Sequence, residues 1–295
     1  MKSVCVLILN YMSYQDTLRY VDNLKDQKGV RLQILIVDNC SPNESFDELS
    51  GAFRKDKQVA VIQSPINGGY ADGNNFGLHF LSEKDVDFIL ISNNDIYLDD
   101  DYLISRMTNE YEKQVKPAFI APLMLVNSRE DRKHQAWRLP SFTDDLFASL
   151  RTLYYMAKWL GISNRYNFPE EDRRTHRVDC LNGSFFMGEK DVFYLIGLFD
   201  EGTFLYVEES ILGQNVKRHG LNNYLMRSGH FHHDQGKTTK GLHSQIKLQR
   251  HWLNSTIYYK IKYNRVPKFM TWIFRVLFCF WIFETLLVSG VRLIG

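Results

Sequence analysis

Residues 86–95 read VDFILISNND, whose apolar core FILI at 88–91 is closed by four polar residues. An unbroken apolar run of this length reads as a strand buried on both faces, as in a parallel sheet. Two earlier stretches have the same form. VCVLIL at 4–9 ends in Asn10-Tyr11, and LQILIV at 32–37 ends in Asp38-Asn39. Between them, 14–28 places Leu18, Val21 and Leu24 at helical spacing before Gly29. Residues 44–55 read as a helix and 59–62 (VAVI) as a strand. The Gly- and Asn-rich 66–77 (INGGYADGNNFG) runs into a helix near 76–82. Strand–helix alternation repeated three times predicts a doubly wound α/β sheet, in which ligands bind beyond the carboxyl ends of the strands.

After residue 118 the alternation breaks. Residues 118–126 read as a strand. Residues 140–177 read as an insertion containing an aromatic helix-like part, Leu146 to Leu160. Order returns with VDCLNGSFFMG at 178–188, a helix near 189–196, and FDEGTFLYVEES at 199–210, where FLYV looks strand-like. A further helix ends near Gly220. The expected division is a body over 1–235 and a C-terminal helical region over 236–295.

A composition of 44% hydrophobic and 24% charged residues is that of a globular chain, and it excludes disorder. The net charge is only +2, yet no acid lies between Asp234 and Glu284. That interval holds Lys237, Lys240, Lys247, Arg250, Lys260, Lys262, Arg265, Lys268 and Arg275. A basic stretch leading into an apolar one points to an anionic membrane surface. No nucleic-acid motif accompanies it. The apolar part, 269–294, is broken by Arg275, Glu284 and Arg292, and its longest uncharged run is 276–283. A spanning helix needs roughly 20 apolar residues, so interfacial insertion or a re-entrant hairpin is expected ahead of a span. The alternative is a helix packed on the body. Cys5, Cys40, Cys180 and Cys279 are widely spaced and read as buried thiols of a reducing compartment. The run after Lys2 is too short for a signal-peptide core, which places the catalytic part in the cytosol.

Five constellations sit at strand ends. Asp38 reads either as a helix cap or as an acceptor for a base or ribose, with Asn10 beside it and Tyr11 placed to stack. NGGYADGNNFG carries more Gly and Asn than a turn needs, and glycine lets backbone approach a ligand. Asp95 closes its strand and could hold a hard divalent cation, Mg or Mn, against phosphate oxygens. Asp99, Asp100 and Asp101 suit a helix start. Glu208-Glu209 reads either as a solvated helix start or as a general base. His230, His232 and His233 fit no common zinc spacing, and one imidazole completing the divalent site is preferred.

In order along the chain, these stretches resemble the family 2 inverting glycosyltransferases with the GT-A (Rossmann-like) fold. They look closest to a bacterial rhamnosyltransferase-like branch that also includes galactofuranosyl-type enzymes of surface polysaccharide assembly. The resemblance runs over about residues 3–265. It implies a central mostly parallel sheet flanked by helices. It makes Asn10 and Tyr11 nucleotide contacts, and Asp38 (in VDNCS) the contact to the base. It adds donor contacts from Asn67, Gly68 and Asn74, and aligns Asn93-Asn94-Asp95 with the family's D-x-D. Asn93 and Asn94 then lie on the nucleotide sugar and Asp95 on the metal. Gly183 falls at the acceptor-side turn, Glu209 at the catalytic base with Glu208 as the fallback, and His233 at a second metal ligand. Two departures stand out: Asn93 replaces an acid, and Glu209 is one methylene longer than the usual Asp.

The implied donor is a dTDP- or UDP-sugar carrying rhamnose or another hexose. The implied acceptor is a polyprenyl-diphosphate-linked glycan of capsule or O-antigen synthesis. The enzyme is expected at the cytoplasmic face of the inner membrane, peripheral or monotopic through its C-terminal region. The rival readings are a catalytically decayed membrane-bound nucleotide- or glycan-binding protein, and a nucleotidyltransferase. The latter lacks a Gly-rich loop after VCVLIL.

Overall fold

The alternation in the first half builds β1 (Ser3–Asn10), α1 (Tyr14–Lys25), β2 (Arg31–Asp38), α2 (Ser45–Phe53), β3 (Val59–Gln63), α3 (Gly69–Leu81) and β4 (Phe88–Ser92). The computed structural model describes residues 1–233 and 242–294. β3, β2, β1 and β4 lie side by side and parallel. Their register sets Asn10 opposite Asp38 and Ile8 opposite Ser92, so the polar residues that close each strand share one sheet edge.

Alternate residues of β1 face opposite layers. Val4, Val6 and Ile8 pack with Tyr20, Val21 and Leu24 of α1. Cys5 and Leu7 pack in the cluster that holds Ala71 and Leu78 of α3. Both faces are covered, so the strand sequence is apolar throughout rather than alternating. Each such fully buried large side chain contributes about 1.5–3 kcal/mol.

Beyond β4 come β5 (Ile96–Tyr97), α4 (Leu103–Tyr111), β6 (Pro117–Val126), β7 (Arg129–Glu130), β8 (Ala136–Trp137), α5 (Phe142–Ala148) and α6 (Arg151–Trp159). They are followed by β9 (Thr175–Val178), β10 (Cys180–Leu181), β11 (Phe185–Glu189), α7 (Lys190–Leu195), α8 (Glu208–Arg218) and β12 (Asn222–His233). The sheet order is β3-β2-β1-β4-β11-β6-β12-β5, with β11 antiparallel to both neighbours and β12 parallel to β6. The sheet is therefore parallel in its first half and mixed in its second.

Four local expectations change. The Gly/Asn-rich stretch is not a loop leading to a helix near 76, because α3 already begins at Gly69. A Cβ on Gly73 would come within 2.6 Å of Leu9 Cδ1, and one on Gly77 within 2.6 Å of Leu7 Cδ1. These glycines let α3 press onto the sheet. Leu146 to Leu160 is two helices, broken at Ser149-Leu150, with a capping box between Ser141 and Asp144 starting α5. Phe204 to Val207 is a bend and not a strand, with Tyr206 at φ +72° and Val207 at φ +76°. Cys279 is exposed, whereas Cys5 and Cys180 are buried and Cys40 is half-buried.

The chain continues into α9 (Leu242–Lys262) and α10 (Trp272–Ile294). α9 is seated on the body. Leu253 and Ile257 pack with Phe142 of α5 and Phe274 of α10. Buried Lys260 pairs with Asp145 at 2.6 Å and donates to the carbonyls of Pro140 and Ser141. Lys260 is thus buried and paired with Asp145, and Lys262, still exposed, pairs with Asp200. Lys237 and Lys240 lie outside the described residues. α10 is one continuous helix and not a hairpin, with Trp272, Phe280 and Phe283 exposed. The stretch Lys268–Leu286 is long and apolar enough to cross a membrane by length and composition.

Candidate active site

The floor of the site is a buried polar network at the ends of β1 and β2. Asp38 has no exposed surface. Its carboxylate accepts from Asn10 Nδ2 (2.9 Å), Ser41 N (2.9 Å), Ser41 Oγ (2.6 Å) and Gln63 Nε2 (3.1 Å). Asn10 Oδ1 accepts from Thr17 Oγ1 at 2.8 Å and from Asn94 Nδ2 at 3.3 Å. Asn94 Nδ2 also donates to Ser13 O and Thr17 Oγ1. Asn10, Asp38 and Asn94 therefore meet, but each is occupied by the others. Tyr11, at the rim, is exposed.

One wall is the start of α3. Asn67 and Gly68 are half-buried there, and Asn67 Oδ1 accepts the Gly69 amide at 3.2 Å. Gly69 is left-handed, at φ +94°, and a Cβ on it would lie 2.0 Å from the carbonyl oxygen of Phe204. Only glycine lets the 203–207 loop dock here. Asn74 is fully buried, donates to Tyr70 O at 2.8 Å, and keeps an unpartnered Oδ1. Its neighbour Asn75 does what the sequence did not single out. It donates to Phe199 O and Glu201 Oε1 and accepts from Phe199 N, clamping the 199–201 loop. The signal was present in the Asn-Asn pair, but the helical face that separates the two was not legible.

β4 ends in a second group. Asn93 is half-buried, with its amide donating to Ser184 O at 2.8 Å. Asp95 Oδ1 lies 3.1 Å from His233 Nε2. Pairing of β5 with β12, Ile96 opposite His233, brings these two together. Adjacent ligands around a small divalent ion bound at about 2.1 Å sit about 3 Å apart, so this pair fits one edge of such a site. His230 and His232 turn the other way and both place Nε2 3.1 Å from Asp99 Oδ2. The three histidines therefore do not converge. Among the described residues, Asp99, His230 and His232 also form a group whose ligand atoms lie within 4.8 Å of one another. Asp100 accepts the Tyr102 amide just ahead of α4, the helix-start role expected of that acidic run.

The third group is Glu208-Glu209. α8 begins immediately after two consecutive left-handed residues, one of them β-branched, which is strained backbone of the kind held by its surroundings. Glu209 Oε1 accepts the Gly183 amide at 3.3 Å, and Tyr70 Oη donates to Gly183 O at 2.7 Å. Burial raises the Glu209 carboxyl, opposed by the Gly183 amide and the Arg165 guanidinium. Burial and the neighbouring Glu209 charge push Glu208 up to about 8, and its Oε1 has no partner. Burial likewise raises Tyr70, and both glutamates add to it. Two adjacent acids, Glu208 buried and Glu209 half-buried, cannot both ionise readily. The arrangement suits one carboxylate that accepts a proton and one that stays neutral.

A family model described as "Glycosyl transferase family 2" matches residues 3–197. The chain is 26% identical over 223 residues to "Low-salt glycan biosynthesis hexosyltransferase Agl10" of Haloferax volcanii, covering 74% of this chain. It spans 62% of that curated relative's length. Among solved structures, "Crystal structure of GalNAc-T7 with UDP, GalNAc and Mn2+" superposes with a TM-score of 0.59 at 13% identity, over 91% of this chain and 52% of that one. "Crystal structure of S. aureus TarS 1-349 in complex with UDP" superposes at 0.53 and 12% identity, over 92% and 68%. At these identities the likeness is one of fold.

Proposed function

The chain belongs to glycosyl transferase family 2, and from that premise we propose that it is an inverting hexosyltransferase that uses a nucleoside-diphosphate sugar. The acceptor we propose is a hydroxyl of a lipid-linked glycan, reached from the cytoplasmic face of a membrane. The observation that carries this reading is the meeting of Asp95 with His233, and of Glu209 with Gly183, around one sheet edge. The GT-A-like neighbours described with UDP, and one with Mn2+, support the donor class and a divalent cation. The word hexosyltransferase in the relative's name supports the sugar class. Rhamnose, and a role in capsule or O-antigen assembly, rest on the sequence resemblance.

In this mechanism Tyr11, Asn67, Gly68 and Asn93 line the donor, over a floor stiffened by Asn10, Asp38 and Asn94. Asn74 supports that wall from inside α3. Asp95 and His233 would hold Mg or Mn, which when bound would neutralise charge on the departing diphosphate. The acceptor lies at the Gly183 turn. Glu209 takes the acceptor hydroxyl proton as that oxygen attacks the anomeric carbon. The bond to the diphosphate breaks on the opposite face, and configuration inverts. Glu208, kept neutral, preserves a dry and uncharged flank. The test is transfer or hydrolysis of UDP- and dTDP-hexoses with and without Mn, in wild type, Asp95→Ala and Glu209→Ala. Wild-type rates in both variants would sink the assignment.

A further inference from the structure

Arg132 and Lys133, ahead of β8, together with residues 144–167 line an open cavity of about 490 Å3, within the size range of small-molecule sites. Four cations line it, Arg132, Lys133, Lys158 and Arg165, against one acid, Asp144. That acid is already engaged, since its carboxylate accepts from Ser141 N and Oγ to cap α5. Arg132 is held by Glu130 and Glu170. Lys133 sits 4.7 Å from the Tyr154 ring centre, and Lys158 has no ion-pair partner among the described residues. Arg165 stacks 4.9 Å from the Trp137 ring centre and keeps a buried Nη1 with no hydrogen-bond partner. An unpartnered buried guanidinium nitrogen is costly unless a ligand completes it.

The cavity has an apolar side and a direction. Phe147 and Ile162 line it, and Tyr155 and Trp159 of α6, with Leu160 just after it, are exposed. Glu284 of α10 accepts from the first amides of α6, so α10 meets α6 at its N-terminal turn. At the other end, Trp137 Nε1 donates to Ser210 Oγ, the residue after Glu209. Arg165, stacked on that same Trp137, thus ties one wall of the cavity to the start of α8, while α6 leads away to its exposed aromatic side chains.

We propose that it binds the diphosphate headgroup of an amphiphilic acceptor, with the lipid chain leaving along α6 and α10. This rests on the transfer reading above and names the anionic end of the acceptor. Cations beside apolar side chains suit an anion that carries a hydrocarbon chain, and Lys133, Lys158 and Arg165, which have no carboxylate partner among the described residues, can act without a metal.

The test is calorimetric titration of the full chain with farnesyl diphosphate in EDTA. We expect saturable one-to-one binding that saturating UDP does not displace. Lys133→Gln/Lys158→Gln, a change of two exposed side chains, weakens it about tenfold or more, while Mn-dependent UDP binding stays at the wild-type level. Farnesol and inorganic pyrophosphate each bind at least about tenfold more weakly than farnesyl diphosphate. Displacement by UDP, an unaffected double variant, or equal binding of pyrophosphate overturns the proposal. The titration needs no turnover. A wild-type protein that binds farnesyl diphosphate as described but turns over no donor would overturn the transferase reading and leave the anionic site standing.

Discussion

His233 Nε2 and Asp95 Oδ1 lie 3.1 Å apart although 138 residues separate them in the chain. Asp95 follows a strand of the parallel half of the sheet, and His233 closes a strand of the mixed half. If both hold one cation, Asp95→Asn and His233→Ala each abolish the Mn-dependent part of UDP stabilisation in a thermal shift. Each also lowers transfer about 100-fold or more. The double variant is no worse than the worse single, because both report one site. Binding of UDP that is indifferent to EDTA in wild type would favour the decayed binding protein.

The glutamate pair yields a signed pH prediction. Burial raises Glu209, so below that raised value it carries its proton and cannot take another. Turnover therefore climbs as pH rises through a point above the ordinary carboxylate range. Glu208, raised by burial and by the charge on Glu209, resists ionising beside an ionised Glu209. Glu208→Gln then replaces one neutral group with another and leaves the acid limb in place. Glu209→Gln costs about 10²–10⁴-fold in kcat. Equal losses in the two variants would move the base to Glu208.

Gly73→Ala tests the pressing of α3 onto the sheet. The added methyl would sit 2.6 Å from Leu9 Cδ1 and 3.0 Å from Asn39 Oδ1. Overpacking of this kind costs about 1–3 kcal/mol, read as a lower denaturant midpoint at unchanged slope. Wild-type stability would mean that α3 has room to spare.

Val207→Gly tests the strain ahead of α8. A β-branched residue at φ +76° is held there at a cost of about 1–3 kcal/mol. Relief of that strain outweighs the roughly 0.4–1 kcal/mol of chain entropy that glycine adds to the unfolded state. The variant should unfold at slightly higher denaturant while kcat falls, because the start of α8 no longer orients Glu209. A gain in stability with unchanged kcat would detach the strain from the chemistry.

The exposed face of α10 gives a last expectation. Phe280→Ser/Phe283→Ser should lose sedimentation with anionic vesicles while keeping soluble-donor hydrolysis. Unchanged sedimentation would place the contact elsewhere.

The parallel half of the fold was legible because a strand buried on both faces must be apolar throughout, and three such runs each ended in polar residues. The pairing of Asp95 with a distant histidine was legible only through motif order. It depends on β5 lying beside β12, which no local pattern encodes. Asn74 and Asn75 look alike in sequence, yet one is buried and bonds its own helix while the other grips a loop. Phe204 to Val207 misled because apolar content signals burial or strand equally, while positive φ at a valine is dictated by its surroundings. Arg165 had no motif at all, and its interest arises from missing partners in three dimensions.

α9 has a practical side. Ser255 Oγ donates to Leu205 O, and Tyr258 and Lys262 hold Asp200, so this helix buttresses the loop that leads into Glu209. Its neighbour Phe274 is fully buried against Phe142. Anyone trimming the molecule to make it easier to purify should cut beyond Phe278. A shorter version that stops before residue 242 would keep its sheet and lose the brace behind its base. It would then pass for a well-folded but naturally inactive protein.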